Sequence, residues 1–447
     1  MSNIDFLIER FSLNPDKEAI ICLDKSITYG DLNNLRLKTT NRLIEAGVST
    51  GMPAILRADY SPLSIATLMA LIEIGCIIIP LTQSSYEALE QSINDVFPQI
   101  LISISDENLL IAKLPQHNVP SLYLELHNRK SPGLVLFTSG SSGKPKAVVH
   151  DFSKLLEKFI EKRPSFITLN FLLFDHWGGL NTLLYGLSNM CLIVIPTNRS
   201  PEYICNLISS HKVELLPATP SFLNMILLSK AYVGKDFKSL RLITYGAETM
   251  PESTLKNLRK NFPDIELRQT YGMIEVGVLR AKSKSPDSLW IKLGGDGYKL
   301  RVVDNKLQIK ATSAMLGYLN AETPFTEDGY MITGDLVEVD GEWIKILGRD
   351  SDLINVGGQK VYPAEVEEVL LECPELIDAV VFGEKNTLLG MVVCANIILD
   401  SGMDEAAARI AIRKYCVDRM QPYMVPVKFN FVNTIEQSSR LKRVRRF

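Results

Sequence analysis

Short apolar runs recur through the first part of the chain, and segments with helical periodicity separate them. Runs this rich in Ile, Leu and Val are typical of strands in a sheet that is covered on both faces. The alternation of strands and helices over roughly the first 340 residues predicts an α/β architecture. The strand candidates are residues 54–56, 77–79, 134–137, 192–195, 215–216 and 242–244.

A capping box predicts where the first long helix begins. Thr28 stands three residues before Asp31, and its hydroxyl can accept from the amides of the first turn. Gly47 is a natural end for the helix. The residues that share its apolar face at helical spacing are Leu32, Leu35, Thr39 and Leu43.

The stretch from residue 64 to residue 81 is apolar enough to be mistaken for a membrane span. It carries Glu73 near its middle, Gly75 and Pro80 follow, and its second half is β-branched. This pattern favours a buried helix that runs into a buried strand over a helix that faces lipid. No transmembrane segment is predicted.

The pattern changes near residue 296, where short strands follow one another and dipeptides typical of hairpin turns separate them. This pattern therefore predicts a small β-rich subdomain over residues 296–348. A mixed α+β segment follows, with Pro363 at a first helical position. A chain of 447 residues is too long for one core. We predict a large N-terminal body over residues 1–350 and a C-terminal α+β domain over residues 351–447.

The bulk composition excludes several functional classes. A formal net charge of −3 gives no general attraction to nucleic acid, so bulk nucleic-acid binding is not expected. The seven cysteines stand singly, without a Cys-x-x-Cys pair or a Cys/His cluster, which predicts reduced and mostly buried thiols. The first residues lack the basic and apolar blocks of a secretory signal. We therefore expect a cytoplasmic protein.

Residues 138–146 place hydroxyls, glycines and lysines in one loop directly after a predicted strand. Gly140 and Gly143 let the backbone approach a ligand, and Lys144 and Lys146 supply positive charge. The hydroxyl-bearing residues are Thr138, Ser139, Ser141 and Ser142. Such a loop suits phosphate oxygens, although Ser/Gly-rich turns with lysine are also common surface loops. The spacing is not that of a P-loop, and the lack of Gly-x-Gly-x-x-Gly after a strand disfavours Rossmann dinucleotide binding.

The loop resembles the phosphate-binding signature of the ANL superfamily of adenylate-forming enzymes. Further segments resemble that family's motifs, in the same order, over essentially the whole chain. The resemblance implies that ATP and Mg²⁺ activate a carboxylic acid and that the N-terminal body is an adenylation core. Residues 269–275 resemble the Tyr-Gly-x-Thr-Glu segment, which implies that Tyr271 lies against the adenine and that Glu275, with Thr138, holds the magnesium ion.

Three more segments complete the nucleotide site that the resemblance implies. Residues 245–248 resemble a turn that lines the adenine and acyl pockets, and Asp335 stands in a Thr-Gly-Asp motif whose carboxylate accepts both ribose hydroxyls. Arg349 is implied to lie near the ribose, and Ser351 is implied to be the pivot of a mobile C-terminal domain. The residues implied to bind ATP are Thr138, Ser139, Gly140, Ser141, Ser142, Gly143, Lys144, Lys146, Gly246, Ala247, Glu248, Thr270, Tyr271, Gly272, Asp335 and Arg349.

The C-terminal segments are implied to supply the catalytic cation and the thiol tunnel. Gly357 and Gly358 resemble the tunnel loop, although a Gly-Gly pair is also an ordinary turn. An ungapped comparison places the family's lysine at Lys442, a shifted one places Arg440 there, and a basic solvated tail is the third alternative. A cation is needed because two anions must meet in line. The implied catalytic set is Lys442, Thr138 and Glu275. The departures from the family pattern are Ile274, Ser351 and Leu441.

Residues 171–179 resemble the family's acyl-pocket segment. An ungapped comparison puts His176 where amino-acid-activating members carry an aspartate that pairs with the α-ammonium group, so a plain carboxylic acid is favoured. Asp175 keeps an amino acid open as the substrate, and His176 can equally be structural. The residues implied to line the acyl pocket are His176, Gly178, Gly179, Tyr245 and Gly272. The length and motif layout resemble the smaller acyl-CoA synthetases, including o-succinylbenzoate–CoA ligases.

The residues and the resemblance together predict two half-reactions. The acid first becomes acyl-AMP with release of pyrophosphate, and the acyl group then passes to a thiol, either coenzyme A or the phosphopantetheine of a carrier protein. Ile274 and Leu441 leave open a degenerate homologue that binds nucleotide or acyl groups without turnover. A Rossmann-type oxidoreductase is opposed by the missing glycine fingerprint. We expect a monomer or a homodimer.

Overall fold

A computed structural model describes residues 3–105, 107–115, 118–138, 144–400 and 403–436. In this part of the chain the strands form four β-sheets, and helices connect them. The helices are α1 (Asp5–Leu13), α2 (Tyr29–Glu45), α3 (Pro62–Ile74), α4 (Gln83–Ala88), α5 (Ser121–Arg129), α6 (Phe152–Leu156), α7 (Trp177–Ser188), α8 (Pro201–Ser210), α9 (Pro220–Ser229), α10 (Glu252–Asn261), α11 (Pro363–Leu371) and α12 (Glu405–Val417). Short 3₁₀ turns span Glu90–Val96, Glu157–Phe159 and Asp350–Asp352. The strands of the N-terminal half are β1 (Glu18–Cys22), β2 (Lys25–Thr28), β3 (Pro53–Arg57), β4 (Ile77–Leu81), β5 (Ile100–Ser105), β6 (Asn108–Lys113), β7 (Gly133–Thr138), β8 (Lys146–Asp151), β9 (Ile167–Leu169), β10 (Leu192–Ile195), β11 (Leu215–Ala218), β12 (Leu242–Tyr245) and β13 (Glu266–Gln269). Those of the C-terminal half are β14 (Tyr271–Met273), β15 (Gly277–Ser283), β16 (Trp290–Gly294), β17 (Tyr298–Val303), β18 (Lys306–Ala311), β19 (Gly317–Tyr318), β20 (Met331–Asp340), β21 (Trp343–Arg349), β22 (Ile354–Val356), β23 (Gln359–Val361), β24 (Leu376–Asn386), β25 (Gly390–Leu399) and β26 (Lys428–Phe431).

Two seven-stranded sheets form the N-terminal body. One has the order β13-β12-β11-β9-β10-β1-β2 and the other the order β19-β8-β7-β4-β3-β5-β6. Neighbouring strands in the middle of each sheet run parallel, so their carboxyl ends share one edge. All six strand candidates lie within observed strands, and every residue of β4 is buried. The α/β body predicted from the apolar runs is confirmed.

The stretch 64–81 is the buried helix followed by a buried strand that the sequence predicted, because α3 runs directly into β4. Its one acidic residue, Glu73, pairs with Arg36 of α2, whose side chain is 3% exposed. Thr40 also donates to Glu73, at 3.0 Å. The Thr28 capping box that opens α2 is confirmed, with both reciprocal hydrogen bonds present. An ion pair between a buried arginine and a half-buried glutamate therefore joins the first two long helices.

The third sheet has the order β14-β15-β16-β21-β20-β18-β17 and corresponds to the predicted β-rich region. It begins at Tyr271, ahead of the predicted start at residue 296, because β14, β15 and β16 are antiparallel strands of the same sheet.

The fourth sheet contains β22 to β26 and packs with α11 and α12. Helix α11 begins at Pro363, as predicted, and contacts α10 and β21 of the body. The boundary at residue 350 stays a prediction.

All seven cysteines are free, and Cys22 alone is more than slightly exposed. Burial raises the pKa of every one of these thiols, for example to about 12 at Cys76 and to about 11 at Cys416. The prediction of unpaired and mostly buried thiols is confirmed. Among the described residues, no helix combines the length and apolar character needed to cross a bilayer.

The Arg36–Glu73 pair gives the first testable prediction. Glu73→Gln leaves a buried guanidinium without its charge partner, and we expect the free energy of unfolding to fall by about 2–3 kcal/mol. Glu266→Gln is the matched control, because Glu266 forms an exposed pair with Arg268 and its loss costs under about 1 kcal/mol. Urea denaturation of both variants measures the difference, and equal effects would contradict a structural role for the buried pair.

Candidate nucleotide and acyl site

The predicted motifs lie where parallel strands end. Thr138 is the last residue of β7, Tyr245 is the last residue of β12, and Thr270 follows β13 directly. In sheets of this kind, ligands bind in the crevice outside the carboxyl ends of the strands. The predicted motif segments therefore lie at the carboxyl ends of strands in both sheets of the body.

The Ser/Gly/Lys loop closes the hairpin between β7 and β8, with Thr138 and Lys146 paired across its base. Lys144 forms an exposed ion pair with Asp95 at 3.1 Å. The Nζ of Lys146 lies 5.1 Å from the centre of the Tyr318 ring, in the strand β19 that pairs with β8. The predicted phosphate ligands that lie outside the described residues are Ser139, Gly140, Ser141, Ser142 and Gly143. The base of the loop thus faces the residue that holds Glu275.

Glu275 is buried and held at two points. The Tyr318 hydroxyl donates to Glu275 Oε1 at 2.9 Å, and the Met315 amide donates to the Glu275 carbonyl at 2.7 Å. The preceding residue, Ile274, is buried in the main hydrophobic core, and its carbonyl lies 2.7 Å from His150 Nε2. The apolar departure from the family pattern therefore packs the motif, and it supplies no hydroxyl to a phosphate.

Asp335 lies at the centre of a three-residue cluster. The Tyr271 hydroxyl donates to Asp335 Oδ2 at 2.5 Å, and Arg349 Nε lies 3.3 Å from Asp335 Oδ1. Burial raises the pKa of Asp335 and, more strongly, that of Tyr271. The resemblance gave Tyr271 and Asp335 separate contacts with adenine and ribose. The structure adds a direct hydrogen bond between them, which the sequence did not indicate.

Arg349 connects the two carboxylates that the sequence analysis singled out. Against the opposing effect of desolvation, Asp335 and then Glu275 hold the pKa of Arg349 above its ordinary value. The guanidinium side chain is 55% exposed, so it borders on solvent while the acids lie beneath it. The predicted ribose ligand and the predicted metal ligand therefore both interact electrostatically with one cation.

A backbone hydrogen bond joins the end of β12 to the segment that follows β13. The Thr270 amide donates to the Tyr245 carbonyl at 2.7 Å, and a Cβ added to Gly246 would lie 2.5 Å from the Thr270 carbonyl oxygen. Ala247 has a φ of +71°, an uncommon conformation for alanine. The Ser221 hydroxyl donates to Glu248 at 2.7 Å. Close backbone contact thus fixes the turn after β12, and Gly246 is required for it.

Two more glycines of the predicted site are in tight packing. A Cβ on Gly272 would lie 2.8 Å from the Gly277 carbonyl oxygen, and one on Gly179 would lie 2.0 Å from the Leu173 carbonyl oxygen. His176 caps α7, because its Nδ1 accepts from the Gly178 amide at 3.2 Å. The structural interpretation of His176 therefore has direct support at the start of the acyl segment.

A polar cluster beside the acyl segment was missed by the sequence analysis. Arg199 interacts electrostatically with Asp175 and Asp59, and its Nε donates to the Phe171 carbonyl at 3.0 Å. Asp175 thus has a cationic neighbour already, which weakens the argument for an amino-acid substrate. The buried side-chain atoms here that lack a hydrogen-bond partner are Tyr60 Oη, Asn170 Nδ2, Asn170 Oδ1 and Asp175 Oδ1. Asn170 directly follows β9, so the strand-end rule could have found it.

The predicted hinge and tunnel residues occupy exposed turns. Ser351 lies in the 3₁₀ turn Asp350–Asp352, where its hydroxyl donates to Asp352 at 3.1 Å. Gly357 and Gly358 form the two-residue turn between β22 and β23, with φ values of +57° and +90° that favour glycine. Their roles in rotation and thiol passage stay predictions. The candidate cations Lys442 and Arg440, with Leu441, lie outside the described residues.

Comparison with protein families decides the class of this chain. The AMP-binding enzyme family matches residues 8–330, and the AMP-binding enzyme C-terminal domain matches residues 365–442. The chain belongs to the AMP-binding enzyme family. This membership confirms the resemblance to adenylate-forming enzymes and, with it, the predicted reaction class of an AMP-forming acid–thiol ligase.

The alignments with individual relatives cover nearly the whole chain. The 2-succinylbenzoate–CoA ligase of Bacillus licheniformis is 26% identical and covers 100% of this chain and 99% of its own length. The corresponding ligase of Bacillus cereus is 24% identical, with coverage of 99% and 97%. Among solved structures, the anthranilate CoA ligase AuaEII in complex with anthranoyl-AMP has a TM-score of 0.81 at 18% identity, with coverage of 99% and 95%. The o-succinylbenzoate CoA synthetase of Bacillus subtilis, with its acyl-adenylate OSB-AMP, has a TM-score of 0.76 at 22% identity, with coverage of 100% and 97%. These structures establish the AMP-binding enzyme fold.

Adjacent glycines in the acyl segment give a matched prediction. Gly179→Ala places a Cβ against the Leu173 backbone, and we expect it to lower the free energy of unfolding by about 2–3 kcal/mol. Gly178→Ala meets the movable end of Leu172 at 3.0 Å and should change stability by less than about 1 kcal/mol. Urea denaturation compares the two, and similar losses would show that the close contact at Gly179 is not the cause.

Proposed function

We propose that this AMP-binding enzyme converts a carboxylic acid to acyl-AMP and then transfers the acyl group to the thiol of coenzyme A. The observation that carries the proposal is the Arg349–Asp335 ion pair, whose guanidinium also interacts electrostatically with Glu275. A ribose ligand, a metal ligand and a cation for phosphate oxygens then lie within one site. The Lys146 contact with Tyr318 brings the phosphate loop to the same place.

At the nucleotide, Asp335 accepts from the ribose hydroxyls. A carboxylate has about four lone-pair positions, so it can accept from ribose while Tyr271 and Arg349 keep their own contacts. Tyr271 lies against one face of the adenine, and the closely packed turn at Gly246 forms the other side of the adenine pocket. These contacts orient ATP without taking part in the chemistry.

Glu275 and the Thr138 hydroxyl are suited to Mg²⁺, which prefers oxygen ligands and is often held through one or two carboxylates plus substrate phosphates. Among the described residues, no group of three or more His, Cys, Asp or Glu side chains could hold a metal alone. A single carboxylate that depends on phosphate ligands fits this arrangement. The bound ion would neutralise charge on the leaving pyrophosphate.

The reaction needs positioning and charge stabilisation, with no protein nucleophile. An oxygen of the substrate carboxylate attacks the α-phosphorus, and the bond to the pyrophosphate oxygen breaks. Lys442 reduces repulsion between the two anions as they meet. In the second step a thiolate attacks the acyl carbon and AMP leaves. Rotation of the C-terminal domain about Ser351 exchanges Lys442 for the Gly358 turn between the two steps.

The relatives' names make 2-succinylbenzoate the first acid to examine for this chain. Two alternatives have a specific basis. A carrier-protein phosphopantetheine presents the same thiol chemistry as coenzyme A. A binder without turnover is suggested by the packing of Ile274 into the core, which removes one phosphate contact.

Acid-dependent ATP–pyrophosphate exchange tests the proposal directly. We expect exchange with at least one aryl or aliphatic acid, and we expect Lys442→Ala to reduce it by about 10²- to 10³-fold with ATP binding largely intact. Arg440→Ala is the matched control and should reduce exchange far less. The opposite ranking assigns the cation to Arg440. No exchange with any acid, across fatty, aryl and amino acids, overturns the ligase in favour of the binder.

Tyr318 gives a second test, because its hydroxyl orients the proposed metal ligand. Tyr318→Phe removes the hydrogen bond to Glu275, and we expect the Mg²⁺ concentration for half-maximal exchange to rise about tenfold. Tyr123→Phe is the control, since Tyr123 is a buried tyrosine that donates to the Val96 carbonyl at 2.8 Å. An unchanged Mg²⁺ requirement in Tyr318→Phe argues against Glu275 as a metal ligand.

A further inference from the structure

His150 is a buried ionisable residue beside the proposed metal ligand, although no sequence motif includes it. It lies in β8, the strand that returns from the phosphate loop, and its side chain is 1% exposed. Its Nε2 lies 2.7 Å from the carbonyl oxygen of Ile274. Because Ile274 directly precedes Glu275, this contact joins the phosphate-loop hairpin to the turn that carries the proposed metal ligand.

The imidazole ring of His150 is the donor in this contact, since a backbone carbonyl can only accept. Burial lowers the pKa of His150 to about 4, so the ring is neutral near pH 7 and has a single N–H group. The contact with the Ile274 carbonyl places that N–H group at Nε2. Loss of this donor leaves a carbonyl group in the core without its hydrogen bond, which is costly.

The turn between β14 and β15 is held at three successive carbonyl groups, of which that of Ile274 is the first. The Glu275 carbonyl accepts from the Met315 amide at 2.7 Å, and the Val276 carbonyl accepts from the Ser313 hydroxyl at 3.0 Å. Residues 313–315 lead into β19, which pairs with β8. Strand β8 therefore supports this turn both directly and through its partner strand.

Strand β8 also connects the turn to the second proposed metal ligand. Thr138 ends β7 and pairs with Lys146 at the start of β8. Mg²⁺ requires a nearly octahedral shell of oxygens at about 2.0–2.1 Å, so a small displacement of one ligand weakens binding. Tyr318 orients the Glu275 side chain, whereas His150 fixes the backbone from which that side chain extends.

We propose that His150 is a positioning residue for the metal–nucleotide complex, because its hydrogen bond to the Ile274 carbonyl keeps the Glu275 carboxylate in place relative to Thr138 and the phosphate loop. The inference rests on the proposed function and deepens it. His150 acts through the backbone of the turn and is not itself a metal ligand. The same bond explains how the turn stays fixed although Ile274 offers no hydroxyl group.

Metal binding measured without turnover tests the inference. Mn²⁺ serves as the paramagnetic probe, and EPR follows its binding to the full-length protein with α,β-methylene-ATP, whose α–β bridge cannot be cleaved. We expect His150→Leu to raise the Kd for Mn²⁺ about tenfold, since partners of metal ligands typically contribute about 10- to 100-fold in affinity. In ATP–pyrophosphate exchange the variant should need about tenfold more Mg²⁺, with the KM for the acid unchanged.

Two further substitutions separate the hydrogen bond from the packing of the ring. The amide nitrogen of glutamine reaches about as far from the backbone as Nε2 does, so His150→Gln should keep the Kd for Mn²⁺ within about threefold of wild type. Asparagine is polar but shorter, so His150→Asn should resemble His150→Leu. A requirement for packing alone does not rank glutamine above asparagine and leucine.

Tyr29→Phe is the matched control. The Tyr29 hydroxyl is also a buried donor to a backbone carbonyl at 2.7 Å, in this case that of Cys191. Its loss removes a comparable hydrogen bond from the core and should leave the affinity for Mn²⁺ unchanged. Urea denaturation shows whether each variant is folded under the assay conditions, and where His150→Leu does not fold, the comparison of His150→Gln with His150→Asn decides.

The outcomes distinguish this inference from the proposed function. An unchanged Kd for Mn²⁺ in His150→Leu overturns the positioning role, as does an equal loss of affinity in Tyr29→Phe. A wild-type nucleotide complex that binds Mn²⁺ no more tightly than free nucleotide overturns both the metal assignment and this inference. A lack of exchange with every acid refutes the ligase, and the EPR titration still decides the role of His150.

Discussion

The charge of Arg349 makes it possible for two carboxylates to be buried in one site. Asp335 and Glu275 are both largely withdrawn from water, and two uncompensated acids there would cost several kcal/mol each. The guanidinium lies at the end of β21, directly opposite Asp335 in the ladder with β20. Strand register therefore sets the electrostatics of the site. Glu275 lies in the turn between β14 and β15 of the same sheet and interacts with this cation electrostatically. Tyr271 donates a hydrogen bond to Asp335, and Tyr318 donates one to Glu275.

Most of the architecture could be predicted because it depends on local signals. The Thr28 cap, the Pro363 start of α11 and the apolar runs each act over a few residues, and all were confirmed. The pairing of Arg36 with Glu73 could not be predicted, since it requires knowing that α2 packs on α3. The early start of the third sheet was missed for a similar reason, because β14 to β16 are defined by their partners more than by their own composition.

In the candidate site, too, the residues could be identified from local sequence signals, whereas their contacts with one another could not. Motif segments identified Glu275, Asp335 and Arg349 individually, but their shared electrostatics follow from strand register and from the folding of the third sheet. The polar cluster around Arg199 and the hydrogen bond from His150 to Ile274 depend on contacts between segments distant in sequence, which no spacing rule encodes. The residues that depart from the family's motif pattern have structural roles. Ile274 serves packing where a hydroxyl was expected, and His176 serves as a helix cap.

The state of the cysteines has a consequence for the chemistry proposed. An acyl adenylate is a mixed anhydride, and an accessible thiolate on the protein is a nucleophile that competes with the intended acceptor for its acyl group. Here burial raises the pKa of every thiol, which disfavours the reactive thiolate, and six of the seven side chains are buried. Self-acylation at sulfur is thereby disfavoured, and the proposed second step takes its thiol from coenzyme A, outside the chain.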